Sequence, residues 1–113
     1  MRTVHLSVSG RNAVRKRVLA GFSGKAQGAH ISFPDIETLW RVMTVKRLRI
    51  LKALAGQGPL ALREIARRVE RDVKAVHADV HALLDAGVLR RSEAGIEFPY
   101  DAVHVDFTLT AAA

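Results

Sequence analysis

The chain contains no cysteine among its 113 residues. That absence excludes disulfides, thiolate-held zinc, iron–sulfur clusters and cysteine nucleophiles, and it fits a reducing cytoplasm. Aromatic residues are scarce as well: one Trp, one Tyr and four Phe, mostly at positions with core-type spacing. Readers of single-stranded nucleic acid stack bases on aromatic side chains, so that class of partner is disfavoured. No phosphate-binding glycine loop follows a strand, and no Ser/His/Asp set stands in a recognisable context. The expectation is a non-enzyme without a cofactor. A long apolar run is also missing from the N-terminus, so neither a signal peptide nor a membrane span is expected.

What is present is positive charge, unevenly placed. The net charge is +7. Residues 1–30 carry six Lys/Arg and no acid, and residues 31–43 sum to −1. Residues 44–74 carry nine basic and three acidic residues, whereas residues 75–113 carry two basic and six acidic. Lys/Arg density that peaks over residues 44–74 is the electrostatic footprint of a polyanion ligand; the blander explanation is a solvated basic surface.

Residues 2–8 alternate, with Val4, Leu6 and Val8 on one side, which predicts a half-buried strand. Arg11 to Ala20 reads as a basic helix, and Gly21, Gly24 and Gly28 then break the chain. The segment from Arg11 to Lys25 is equally a candidate DNA-contacting arm and a solvated helix face. His30 to Phe33 reads as a second short strand. A short helix follows Asp35, with Ile36, Leu39, Trp40 and Met43 as its apolar stripe. Trp40 has aliphatic neighbours at helical spacing, so it is expected to anchor the core or a dimer.

The stretch from Thr44 to Gly95 organises the rest. Thr44 can cap a helix whose expected buried stripe is Val45, Leu48, Leu51 and Leu54, with Lys46, Arg47, Arg49 and Lys52 around it. Gly56-Gln57-Gly58-Pro59 ends that helix. Leu60 to Leu62 can pair as a short strand. Arg63 to Val69 is a second helix with Ile65, Ala66 and Val69 inward and Arg67 and Arg68 outward. Glu70-Arg71-Asp72 is a tight turn whose Asp72 can cap the next helix. That third helix runs from about Val73 to Ala86 and is stopped by Gly87. Val73, Val76, Val80, Leu83 and Leu84 form its buried face. Val88 to Arg91 and Ile96 to Phe98 are the strands of a hairpin with Ser92-Glu93-Ala94-Gly95 at its tip. A last alternating strand carries Val103, Val105, Phe107 and Leu109 on one face. Its length and pattern match residues 4–8, which it can pair within one chain or across a two-fold axis.

This order of elements predicts an α+β fold, a winged helix-turn-helix with additional N- and C-terminal strands, expected to form a dimer. The organisation divides into residues 1–43 (arm and dimerisation), residues 44–98 (DNA-binding domain) and residues 99–113 (C-terminal strand completing a sheet or dimer). In such domains the N-terminal part of the third helix enters the major groove. That face carries Lys74, Ala75, His77, Ala78 and His81. Lys74 can donate to guanine, the histidines can donate or accept, and the alanines allow close approach and contact with a thymine methyl. Arg63, Arg67, Arg68, Arg71, Arg90 and Arg91 are placed for phosphate contacts. His77 and His81 stand four apart, a spacing that can hold zinc or nickel, but no third ligand stands with them, so no metal is expected.

The segment from Thr44 to Tyr100, and above all REIARRVERDVKAVHADVHALLDAGVL, resembles the winged-helix transcriptional regulators of bacteria and archaea, MarR/ArsR-like in the broad sense. With ISFPDIETLW and EFPYDAVHVDFTL included, the whole chain is similar to a narrower group of short DNA-binding regulators, some of them antitoxin-like. The resemblance implies recognition-helix roles for Lys74, His77 and His81, phosphate-facing roles for Arg67, Arg68 and Arg71, and wing roles for Arg90 and Arg91. The long dimerising helices of MarR proteins are absent, so it implies nothing about dimer geometry. The functional expectation is a cytoplasmic, homodimeric, sequence-specific double-stranded DNA-binding repressor, with its own gene as a candidate target. The alternative is an antitoxin or protein-interaction module that binds a toxin through its terminal strands.

Overall fold

The structure is a computed structural model that describes residues 2–8, 29–109 and 111. The expected basic helix, glycine-broken connection and arm lie outside the described residues. Among those described, the elements are β1 (Thr3–Val8), β2 (Ala29–Phe33), α1 (Ile36–Val42), α2 (Val45–Leu54), α3 (Leu62–Val69), α4 (Val73–Asp85), β3 (Arg90–Ser92), β4 (Gly95–Glu97) and β5 (Ala102–Asp106). The fold is α+β.

The two ends of the chain meet in one sheet of order β2-β1-β5, with both pairings parallel. The pairing of the terminal strands is therefore within one chain. Parallel neighbours cannot be joined by a hairpin, and here β5 returns to β1 only after the helices have been built. Alternation sorts the sheet into two faces. Val4 sits in a row with Ala29 and Val103, and Leu6 with Ile31 and Val105. Val4 and Leu6 are fully buried. The opposite face carries His5 between His30 and His104, with ring centroids 5.0 Å and 5.4 Å away.

Helix α1 packs on β1 and β2. Its N-cap is Asp35, whose Oδ1 accepts from the Thr38 N–H at 2.7 Å. Leu39 and Met43, four apart, are buried. Trp40 lies about 100° further round the helix. It is 47% exposed and meets Phe107 edge to face at 5.6 Å, so it is not the core anchor the sequence suggests.

Helix α2 begins at Thr44, whose Oγ1 accepts from the Arg47 N–H at 3.2 Å. Its buried apolar residues are Ile50, Leu51 and Leu54; Leu48 is half-buried and Val45 is 65% exposed. The expected stripe stepped by three from Val45 to Leu54. At about 100° per residue those nine steps end half a turn away, so both ends cannot face the same core. The actual stripe is 47, 50, 51 and 54, with Arg47 at its start. Val73, expected to be buried at the start of α4, is also exposed. Its angular position is right, but as the first helical residue it stands at the end of the core. Val76, Val80 and Leu83 continue the same face and are buried.

The expected strand at 60–62 contracts to a single bridge. Leu60 and Ile96 exchange two backbone hydrogen bonds of 2.8 Å, and Leu62 already opens α3. Gly95 permits this approach, because a Cβ there would stand 2.6 Å from the Leu60 carbonyl oxygen, and its φ is +139°. The β3–β4 hairpin is thereby fastened to the α2–α3 loop. Its first strand begins at Arg90 rather than Val88 because the Val88 and Leu89 N–H groups both go to the Leu83 carbonyl, at 3.0 and 3.3 Å, instead of to a neighbouring strand. They follow the close of α4, where the Val88 N–H donates to the Leu83 carbonyl and the Gly87 N–H to the Leu84 carbonyl, both at 3.0 Å. That is a Schellman ending with Gly87 at φ +81°.

Candidate nucleic-acid interface

Helices α3 and α4 are joined by three residues. The Glu70 N–H donates to the Arg67 carbonyl at 3.2 Å and the Arg71 N–H to the Ala66 carbonyl at 3.1 Å. This is the same kind of helix ending as at Gly87, but the left-handed position is held by Glu70 at φ 55°. Asp72 then caps α4, its Oδ2 accepting from the Lys74 N–H at 3.0 Å. Buried Ala66 is the small residue that lets the two helices approach.

The outer surface of α4 presents Lys74, Ala75, His77 and Ala78, all exposed, with His81 half-buried beside them. The rings of His77 and His81 are 4.2 Å apart. The five residues chosen as base readers thus lie together on one helix. Among the described residues, no group of three or more side chains is arranged to hold a metal ion.

The six candidate phosphate ligands divide into three kinds. Arg63 and Arg91 are exposed and make no ion pair among the described residues. Arg67, Arg68 and Arg90 are exposed but paired. Glu64 takes both Arg67 and Arg68, and Arg68 also donates to Gln57 at 2.9 Å. Hydrogen bonds from Arg67 and then Arg68 lower the Glu64 carboxyl to about 2. Arg90 pairs across the hairpin with Glu97 at 2.6 Å. Surface pairs of this kind are weak, so a phosphate can compete for these guanidinium groups.

Arg71 is the third kind and corrects the expectation. Its side chain is only 21% exposed and its Nη1 lies 2.8 Å from Oδ2 of Asp79. The two atoms are buried and face each other off the line of a hydrogen bond. Asp79 Oδ1 accepts from Arg47 Nε at 2.9 Å, and Arg47 Nη1 donates to the carbonyls of Arg41 and Val42 at 3.0 Å. One carboxylate thus joins α2, the turn and α4, and through Arg47 it reaches the end of α1. Burial works to raise the Asp79 carboxyl, but the hydrogen bond from Arg47 and the close guanidinium of Arg71 outweigh it and hold the group below its ordinary value.

Sequence reasoning missed this carboxylate. The signal was there: Asp79 stands three after Val76 and four before Leu83, at the edge of the buried stripe. An acid at such a position needs a cation from another element.

A cavity of about 200 Å³ is lined by Leu48, Leu51, Lys52, Ala55, Phe98 and Val103 among others. No residue of α3 or α4 contributes to it. Among the described residues no helix is long and apolar enough to cross a membrane.

Residues 42–105, more than half of the chain, match the profile of the family described as HVO_A0114. No curated protein and no solved structure matches the chain.

Proposed function

The chain belongs to the HVO_A0114 family, and we propose that it is a winged helix-turn-helix regulator that reads double-stranded DNA as a homodimer. One observation carries the proposal: α4 offers Lys74, Ala75, His77 and Ala78 on an exposed face immediately after a tight turn from α3. A helix presented in this way fits the major groove. Lys74 donates to a guanine edge, His77 and His81 donate or accept, and the alanines let the helix sit deep. Arg63, Arg67 and Arg68 flank that face on α3, and Arg90 and Arg91 belong to the hairpin, which takes the part of the wing. These five arginines supply the phosphate contacts, while Arg71 positions the helix instead. A protein of this kind acts where the chromosome is, in the cytoplasm, and represses by occupying its site; its own promoter is the first site to test.

Fluorescence anisotropy with duplex DNA from the gene's own upstream region, against random duplex at two salt concentrations, tests the proposal. Binding at least about a thousandfold tighter to the upstream duplex, with a steep salt slope, is the expected result. Equal and weak binding to both duplexes defeats it.

A further inference from the structure

Strand β5 lies at the edge of its sheet, with β1 on one side and no neighbour on the other among the described residues. An edge of this kind is a template for another strand. The backbone shows which groups it offers. The Ala102 N–H donates to the Arg2 carbonyl, and Ala102 stands opposite Thr3 in the parallel ladder. Residues 102, 104 and 106 therefore turn their backbone groups toward β1. By alternation, Val103, Val105 and Phe107 turn theirs to the open edge.

The side chains limit what can add there. Val103 and Val105 share the rows of Val4 and Leu6 on the apolar face, whereas His104 and Asp106 lie on the polar face and are exposed. Phe107, just beyond the strand, is exposed on the apolar side, where it meets Trp40, which is exposed as well. The strand is thus apolar on one face, and on the other it carries one basic and one acidic residue two positions apart.

That pattern is complementary to its own two-fold image. We infer that β5 pairs antiparallel with β5 of a second copy of this chain, about an axis through Val105, to join the described strands of both copies into one continuous sheet. Val105 then faces Val105 of the second copy, and Val103 faces Phe107 in both directions. These are the positions whose backbone groups point outward, so each can exchange two hydrogen bonds. On the polar face each His104 meets an Asp106. Those are non-hydrogen-bonded pairs, in which side chains approach most closely. Other registers lose this match. An axis through His104 sets imidazole against imidazole and Asp106 against Ala102. An axis through Val103 leaves Asp106 beyond the strand pairing. An axis between residues sets outward groups against inward ones and apolar side chains against polar. In the Val105 register Phe107 packs on Val103 of the second copy, which covers the exposed aromatic pair.

This specifies the dimer of the proposed regulator but does not depend on DNA binding, because mass is measured on the full chain without DNA. Sedimentation equilibrium is expected to give twice the chain mass of 12.4 kDa. His104→Glu places carboxylates together, and Asp106→Lys takes from each imidazole the carboxylate it faces and sets an ammonium group there. Each is expected to weaken the dimer at least about tenfold, because the change is made in two symmetric pairs, and the double variant His104→Glu/Asp106→Lys to restore it. Val105→Pro removes an outward N–H and leaves the ladder to β1 intact, so it is expected to give a monomer with an unchanged circular dichroism spectrum. As the chain has no cysteine, His104→Cys/Asp106→Cys is expected to form a covalent dimer under oxidation, and His104→Cys alone is not. A monomer at every concentration overturns the inference. So does a dimer that both single charge variants leave intact.

Discussion

Asp79 Oδ1 accepts a hydrogen bond from Arg47 Nε at 2.9 Å, across 32 residues of sequence. The contact ties α4, the helix proposed to read DNA, to α2, and with Arg71 on the other carboxylate oxygen it fixes the approach of the turn. The side chains of Asp79, Arg47 and Arg71 are 15%, 19% and 21% exposed. Removing the carboxylate therefore strands two cations in a partly dry site.

Asp79→Asn is expected to cost about 2–4 kcal/mol in urea denaturation, since leaving a buried charge unpartnered is far worse than losing a surface pair. An effect under about 0.5 kcal/mol would show that solvent already screens the site. The pH dependence has a definite sign. The carboxyl is held below its ordinary value of 3.8. Its contribution is therefore complete above about pH 4 and is lost as pH falls through the lower folded value. The wild-type acid limb below about pH 4 should lose part of its slope in Asp79→Asn.

Glu70 occupies a left-handed conformation, with φ 55°, which costs a residue with a Cβ roughly 1–2 kcal/mol. Glycine removes that penalty at some cost in chain entropy. Glu70→Gly is expected to stabilise the fold by about 0.5–1 kcal/mol in thermal denaturation. Destabilisation would mean that the Glu70 side chain contributes more than the turn geometry indicates.

Gly95 leaves no room for a methyl group against the Leu60 carbonyl. Gly95→Ala is expected to cost roughly 1–3 kcal/mol and to speed amide exchange at Leu60 and Ile96, whose mutual hydrogen bonds fasten the hairpin. Unchanged exchange at those two amides would separate the hairpin from that contact.

Lys74→Ala is expected to relax preference at one base pair by about 1–3 kcal/mol. Arg63→Ala should weaken specific and random duplexes alike and lower the salt slope by about one. Arg71→Ala should act differently from Arg63→Ala, reducing thermal stability along with affinity, because its guanidinium serves Asp79. If Lys74→Ala and Arg63→Ala behave identically on both duplexes, the assignment of roles is wrong.

The sequence by itself determined the local elements, because their causes act within about four residues. Asp35, Thr44 and Asp72 each accept an N–H from the first turn that follows, and Gly87 ends α4 where a left-handed residue is needed. Alternation placed Val4 and Leu6 on a buried face, and helical spacing gathered Lys74, His77 and His81 on one side of α4. The start of α2 was less legible: a step of three drifts around a helix, so Val45 joined the wrong face. Only the tertiary structure decided what depends on approach between distant segments. Arg71 and Arg47 read as surface cations until α4 brings Asp79 between them. The terminal strands could have paired in either direction, and the parallel order β2-β1-β5 follows from where the helices return the chain. Among the described residues that order also leaves β5 at an edge, a placement that no local pattern contains because it is a property of the whole sheet.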